Sequence, residues 1–173
     1  MKNFLTLALF FVGIAINAQV DKIYKHNGDV VEGKVIKLEE FTIIFKYDGE
    51  DAENTLSKYA IEKIVYGKSG RVEEVTEKIV ISGEADWEKV VILEDKAYIA
   101  GLKKGDEVRG KTGLINYHTG NTGDKKAEKK LKIEAAKMGC PFILQTADKS
   151  TVGANSNSLG GSQVIKKGIG YKY

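Results

Sequence analysis

The chain has 173 residues, and its 27 lysines and arginines nearly balance its 24 aspartates and glutamates. The net charge of +3 gives no reason to expect a polyanionic partner, and a chain of this length can bury a core in one or two small domains. The single cysteine excludes an internal disulfide.

The first residues have the pattern of a cleavable signal peptide, predicted to span residues 1–18. Lys2 precedes an apolar run from Phe4 to Ile16, and Asn17-Ala18-Gln19 follows. The run is shorter than the roughly 20 apolar residues of a spanning helix, so we predict cleavage after Ala18. An uncleaved anchor is the alternative. We therefore predict a periplasmic or secreted soluble protein with no membrane span after cleavage.

Residues 19–75 are predicted to form a small module of strands and tight turns. Asn27-Gly28 favours the positive φ angles of a hairpin turn, and Gly33 inside the next strand indicates a bulge or a sharp bend. This strand spacing predicts a small SH3-like barrel or a curled sheet. The predicted strands are Lys22–His26, Val30–Leu38, Phe41–Tyr47, Thr55–Tyr59 and Ile61–Tyr66, with a break near Lys58–Ala60.

The stretch His26–Val35, HNGDVVEGKV in one-letter code, resembles the signature of Sm-like barrels. In that signature an Asn-Gly loop opens a strand and a second glycine bends it. Sm-like proteins are small barrels, so the resemblance implies a barrel fold. Proteins of this family assemble into rings and bind RNA. We do not carry over the RNA ligand, because an exported chain rarely meets RNA, and we predict no nucleic-acid partner.

The glycines and charges of residues 67–78 predict a link to a second module, residues 76–173. Val90–Leu93 is a short apolar run typical of a buried strand, and Glu107–Lys111 with Leu114-Ile115 predicts another strand. Phe142–Thr146 predicts a further strand. Asp148–Gly161 is rich in Ser, Asn and Gly, which predicts an exposed mobile loop before a last strand that ends at Tyr173.

One helix is predicted in the second module, because four apolar residues fall on one helical face. They are Ala127, Leu131, Ala135 and Met138. Thr122 or Asp124 is predicted to cap the start of this helix and Gly139 its end. The sequence therefore predicts an α+β protein, with an N-terminal small curled β-sheet or barrel followed by a two-layer α/β unit with one main helix.

Residues Ala135–Leu144, AAKMGCPFIL, resemble the helix-to-strand turn of small envelope α/β domains, including those of outer-membrane stress-sensor lipoproteins. The chain lacks the paired cysteines of those sensors, so a shared signalling role is not carried over. As a whole, the chain resembles two-part exported proteins of Gram-negative envelopes. That resemblance implies a location and no chemistry.

Residues suited to catalysis are few and scattered. His26 and His118 are predicted to be exposed loop residues, and Cys140 is predicted to be a small buried residue; a reactive thiol is the alternative. These three residues are too few for a structural zinc site. The alternating carboxylates Glu84, Asp86 and Glu88 predict a solvated strand edge. We therefore predict no catalytic residue, metal or cofactor.

The segment Gly120–Lys126 precedes the predicted helix and offers the one candidate ligand site. A phosphate or small ligand there would be bound by Thr122, Lys125 and Lys126, although a plain helix cap is the favoured interpretation. Four further residues form a predicted interaction surface, combining a basic helix with exposed aromatic rings: Lys129, Lys130, Tyr171 and Tyr173.

These patterns favour an exported protein with a non-enzymatic interaction or structural role, whose partner is an envelope protein or component. The alternative is a small-ligand or phosphate-binding protein, or an enzyme, that uses the Gly120–Lys126 loop.

Overall fold

The computed structural model describes residues 20–113, 120–151 and 163–173. The chain divides into two compact units, with the boundary between Glu77 and Lys78. The predicted α+β class is confirmed: the N-terminal unit holds a six-stranded antiparallel sheet, and the C-terminal unit holds a four-stranded mixed sheet with one main helix.

The N-terminal sheet has the strand order β4-β3-β2-β1-β5-β6, and each neighbouring pair is antiparallel. Because β4 and β6 lie at opposite ends of this order, residues 20–77 form an open sheet, and the barrel alternative is wrong. The strands are β1 (Asp21–Lys25), β2 (Val30–Leu38), β3 (Thr42–Tyr47), β4 (Asn54–Ser57), β5 (Ile61–Val65) and β6 (Val72–Glu74).

Two glycines are required in this sheet, and the irregularity predicted at Gly33 falls instead between Val35 and Lys37 of β2. The Asn27-Gly28 turn is confirmed: Gly28 has a φ of 95°, and its backbone N–H donates to the Lys25 carbonyl at 2.9 Å. Gly33 is buried, and a Cβ there would collide with the Lys46 carbonyl and lie 3.3 Å from Phe45 Cδ2. Only glycine therefore lets β2 and β3 approach this closely.

The core of the N-terminal unit is formed by apolar side chains that alternate along the strands. A short 3-10 helix, Lys58–Ala60, makes the predicted break between β4 and β5, and Ser57 caps it by accepting from the Tyr59 N–H at 3.3 Å. The buried apolar residues of the unit are Ile23, Ile43, Phe45, Leu56, Ala60, Ile61 and Ile64.

Strand β6 lies within residues 67–78, where the sequence predicted only a link. Val72 is 54% exposed, so this strand is held by its ladder with β5 rather than by burial. A short edge strand needs no apolar face, and the charges taken as a sign of a linker are compatible with it.

In the C-terminal unit the strand order is β7-β9-β10-β8, with β7 parallel to β9 and the other pairs antiparallel. The helix packs against β8 and β10 on one face of the sheet, which gives the predicted two-layer arrangement. The elements are β7 (Val91–Leu93), β8 (Lys103–Lys111), α1 (Gly120–Lys137), β9 (Phe142–Thr151) and β10 (Gln163–Lys172), with 3-10 helices at Glu84–Lys89 and Lys96–Ile99.

The apolar face and the end of α1 are confirmed. Gly139 has a φ of 65°, and two backbone bonds of 2.9 Å close the helix, from Gly139 to the Ala136 carbonyl and from Cys140 to the Ala135 carbonyl. The start is wrong, because Thr122 and Asp124 lie inside α1 and cannot be its N-cap. The core cluster is Val90, Val108, Leu131, Ala135, Ala136, Cys140 and Ile143, with Met138 packed against it.

Two further predictions for this unit are wrong. Residues 84–89 form a 3-10 helix rather than a strand edge, and Asp86 accepts from the Ser82 backbone N–H at 2.8 Å just before it. Residues 148–151 belong to β9, not to a loop, because Asp148 pairs with Lys166 of β10. The remainder of the predicted loop, residues 152–161, lies outside the described residues. Leu114 and Ile115, from the strand predicted with Glu107–Lys111, also lie outside them. In the described part of the chain, no helix combines the length and apolar character needed to cross a membrane.

Candidate functional site

The segment predicted as a ligand loop belongs to the first turns of α1. Thr122, Lys125 and Lys126 are all exposed on this helix. The loop prediction is therefore wrong, and the three residues lie along a helix. Their role in ligand binding stays a prediction.

Both lysines of the predicted interaction surface contact other residues of the C-terminal unit. The Lys129 ammonium lies 4.5 Å from the centroid of the Trp87 ring, and Lys130 donates to the Lys111 carbonyl at 2.9 Å. These contacts join α1 to the 3-10 helix before β7 and to the end of β8. An ordinary structural role therefore accounts for both side chains, and their interaction role stays a prediction.

The two aromatic residues of that surface are less accessible than predicted. Tyr171 is only 6% exposed, so it cannot serve as an exposed aromatic. A register shift between Ile169 and Tyr171 interrupts the strand alternation, and the neighbours Gly170 and Tyr171 are both buried. Tyr173 is half-buried: its ring packs edge-on against Phe142 at 5.4 Å, and its hydroxyl accepts from the Ile79 N–H at 2.8 Å. Burial raises the pKa of Tyr173, and that hydrogen bond opposes the shift.

His26 was predicted to be exposed but is 8% exposed, and that prediction is wrong. Its Nε2 lies 3.0 Å from the Thr76 hydroxyl, which also lies 3.0 Å from the Lys58 carbonyl and 2.8 Å from the Ile61 carbonyl. The Thr76 hydroxyl has one proton, which it shares between these two carbonyl oxygens. In its bond with His26 the hydroxyl therefore accepts, and we assign the donor to the Nε2–H of His26. His26 thus fastens the end of β1. His118 lies outside the described residues.

Cys140 is fully buried, as predicted. Burial raises the pKa of its thiol, and nearby Asp106 adds to the shift while Lys172 opposes it. Gly170 leaves the space that the sulfur fills, since a Cβ there would lie 2.8 Å from Sγ. The thiol is therefore packed as a small apolar group.

We expect Cys140 to react with a disulfide reagent such as DTNB about 100-fold more slowly in the native protein than in urea, because a buried, protonated thiol is a poor nucleophile. The measurement is the rate of thiolate release with and without denaturant. Equal rates in the two conditions would contradict the burial of this side chain.

A partly buried ion pair lies at the sheet of the C-terminal unit, with Lys166 buried and 43% of the Asp148 side chain exposed. Lys166 is 9% exposed and donates to the Asp148 carboxylate at 2.7 Å, with Asp124 at 3.9 Å. Burial alone would lower the pKa of Lys166, but the hydrogen bond and charge of Asp148, with Asp124 and Glu128, outweigh it and raise the pKa. This pair joins β9 and β10 with α1. Within residues 20–113, 120–151 and 163–173, His, Cys, Asp and Glu side chains nowhere gather in threes as around a metal ion.

A cleft of about 410 Å³ opens at one end of the N-terminal sheet, and we call it the Lys34 cleft. Its volume lies in the range of small-molecule sites, about 300–1,000 Å³. It is formed by the start of β1, the middle of β2, the turn after β3 and the loop between β5 and β6. The lining residues are Val20, Asp21, Lys34, Val35, Asp48, Tyr66, Lys68 and Ser69.

Asp21 holds the walls of the Lys34 cleft together. One carboxylate oxygen accepts from the Val35 N–H at 2.9 Å and the other from the Gly67 N–H at 3.0 Å. This single side chain ties β1 to β2 and to the β5–β6 loop. Since both oxygens already accept backbone hydrogen bonds, Asp21 is a structural part of the cleft wall.

The Tyr66 ring is held in a fixed orientation at the cleft. Its hydroxyl donates to Glu73 at 2.8 Å, and the Arg71 guanidinium lies 4.4 Å from the ring centroid. Burial raises the pKa of Tyr66, and the Glu73 carboxylate adds to this. The loop that follows Tyr66 is closed by Gly70, which has a φ of 67° and donates to the Tyr66 carbonyl at 2.8 Å. A ring fixed in this way is a preorganised part of the cleft wall.

The polar groups of the Lys34 cleft balance in charge. Lys34 and Lys68 are exposed and make no hydrogen bond or ion pair within the described part of the chain. Two carboxylates, Asp21 and Asp48, offset their charge. The cleft therefore presents free N–H donors, oxygen acceptors and an aromatic ring with no formal net charge. That combination suits an uncharged ligand rich in hydroxyl or amide groups better than an anion.

No protein-family model matches the chain, and comparison with curated proteins and with solved structures finds no match. The Sm-like and stress-sensor resemblances therefore stay predictions, and a proposal for function depends on the chemistry of the residues.

Proposed function

We propose that this protein is an exported, non-enzymatic binding module of the cell envelope, and that it binds a polar uncharged ligand in the Lys34 cleft. The observation that carries the proposal is the cleft itself. It is lined by the fixed Tyr66 ring and by the ammonium groups of Lys34 and Lys68. Within the described residues, neither lysine makes a hydrogen bond or ion pair with another protein group.

The proposed export follows from the signal peptide predicted at residues 1–18. The proposed lack of catalysis is supported by the positions of His26 and Cys140, since both are buried and neither lines the cleft. Hydroxyl groups of a saccharide both donate and accept hydrogen bonds, and the C–H faces of its rings pack on aromatic side chains. We therefore propose a saccharide as the ligand class.

The export part is tested by expressing the full chain with its own N-terminal segment and sequencing the N-terminus of the released protein. We expect the released protein to begin at Gln19. Recovery of an uncleaved chain in the membrane fraction alone would overturn this part of the proposal.

The binding part is tested by calorimetric titration of the released protein with N-acetylglucosamine and glucose, beside charged glucuronate and glucosamine. We expect the neutral sugars to bind more tightly than the charged ones, and Lys34→Ala or Lys68→Ala to weaken that binding about tenfold, the value of a lost charged donor.

Two control variants accompany this titration. Lys37 lies on the same strand as Lys34 but forms its ion pair with Glu39 outside the cleft. The Lys37→Ala variant should therefore bind the sugars normally. The double variant Lys125→Ala/Lys126→Ala tests the alternative site on α1. A loss confined to that double variant, or an absence of sugar binding, would overturn the proposed site.

A further inference from the structure

A second cleft, of about 320 Å³, lies directly beside the first one, and we call it the Lys22 cleft. Val20 and Tyr66 line both clefts. The two clefts are therefore adjacent and share part of their walls.

The Lys22 cleft lies on one face of the N-terminal sheet. Lys22 is the cross-strand partner of Glu32 on one side and of Val65 on the other, so the three side chains share a face. Glu32 and Lys34 are two residues apart on β2, which places them on one face about 7 Å apart. Strand β2 therefore runs from one cleft into the other without a break.

The second cleft repeats the chemistry of the first. Lys22 and Glu32 form an ion pair of 3.3 Å with about half of each side chain exposed, so both remain accessible to a ligand. Their charges cancel, and the apolar contacts come from Val65 and Tyr66. Gly67 and Gly70 leave the backbone of the loop open to close approach.

We infer that the ligand is a linear neutral oligosaccharide whose consecutive sugar units occupy the Lys34 and Lys22 clefts and pass Tyr66 between them. The inference rests on the proposed saccharide binding in the Lys34 cleft. Two adjacent, charge-balanced depressions that share an aromatic residue match a ligand that repeats the same polar unit along its length. A single small molecule would use only one of them.

The test compares N-acetylglucosamine with its β-1,4-linked tetramer, and glucose with cellotetraose and maltotetraose, by calorimetric titration of the released full chain. We expect at least one tetramer to bind about tenfold more tightly than its monomer, because the second cleft adds contacts without a second loss of translational freedom.

Variants separate the two clefts. Glu32→Gln and Lys22→Gln should each weaken tetramer binding severalfold and so reduce the advantage of the tetramer over its monomer, whereas Lys34→Ala should weaken binding of both sugars. Two substitutions are used so that a folding defect in one, checked by circular dichroism, leaves the other informative. Lys37→Gln is the matched control, since it breaks a comparable surface ion pair, of 2.8 Å, outside both clefts.

Each outcome has one meaning. Equal affinity for monomer and tetramer, or tetramer binding that is insensitive to both Lys22-cleft variants, would overturn the two-cleft inference and leave the proposed function standing. Absence of binding by every sugar would overturn both.

Discussion

Replacing Gly110 by valine should destabilise the C-terminal unit by about 3 kcal/mol or more, because the added side chain has no space. Gly110 is buried in β8 directly beneath α1, and a Cβ there would collide with the Ala127 carbonyl and lie 2.7 Å from the Leu131 backbone nitrogen. Both obstacles are helix backbone, which cannot rotate away as a side chain would. The helix would have to lift from the strand and separate Leu131 from the core cluster.

Trp87 gives a direct measurement of this loss. It is the single tryptophan of the chain and packs against the same core cluster, so urea unfolding followed by its fluorescence reports on the C-terminal unit. The matched control is Gly83→Ala, since a Cβ at Gly83 meets no atom within 4 Å; we expect a change within about 0.5 kcal/mol. An unchanged midpoint in Gly110→Val would show that α1 does not depend on this close approach.

The elements that could be predicted from the sequence are those specified by local chemistry. The period of Ala127, Leu131 and Ala135 defines the buried face of α1, and glycine at position 139 defines its end, because only a residue that accepts a positive φ can close the helix there. The turn at Asn27-Gly28 follows from the same property. Each of these signals lies within about one or two turns of backbone.

The elements that were missed depend on a partner strand. Val72–Glu74 has too little apolar character to predict a strand, and β5 supplies the ladder that makes it one. Asp148 reads as a loop residue until β10 places Lys166 beside it. Side-chain pattern alone does not encode such pairings, since strand propensity changes with the neighbouring strand.

The candidate site was missed for a related reason. The Lys34 cleft combines residues from four segments, and its central tie joins Asp21 to Gly67, 46 positions apart. The hydrogen bond between the buried His26 and Thr76 likewise spans 50 positions. The glycines and the lysine that follow Tyr66 have the composition of a linker. Their order does not predict that the Tyr66 ring is held in a fixed orientation. Polar side chains that lie far apart in the sequence are brought to one cleft only by the register of the sheet.

Phe45→Ala should remove about 3–5 kcal/mol from the stability of the N-terminal unit, because it deletes a large side chain that is 1% exposed. Its ring lies over the space that Gly33 leaves open, so the cavity would be bounded by strand backbone that relaxes little. Thermal unfolding of the wild type and the variant, followed by far-UV circular dichroism, measures the loss.

Tyr47→Ala is the matched control for Phe45→Ala, since the two rings pack edge to face at 5.0 Å and either substitution removes that contact. Tyr47 is 41% exposed, so its loss should cost about 1 kcal/mol, close to the value of an aromatic pair. The difference between the two variants therefore isolates the burial of Phe45. Equal losses would mean that the ring contact, rather than burial beside Gly33, stabilises the sheet on which both clefts are built.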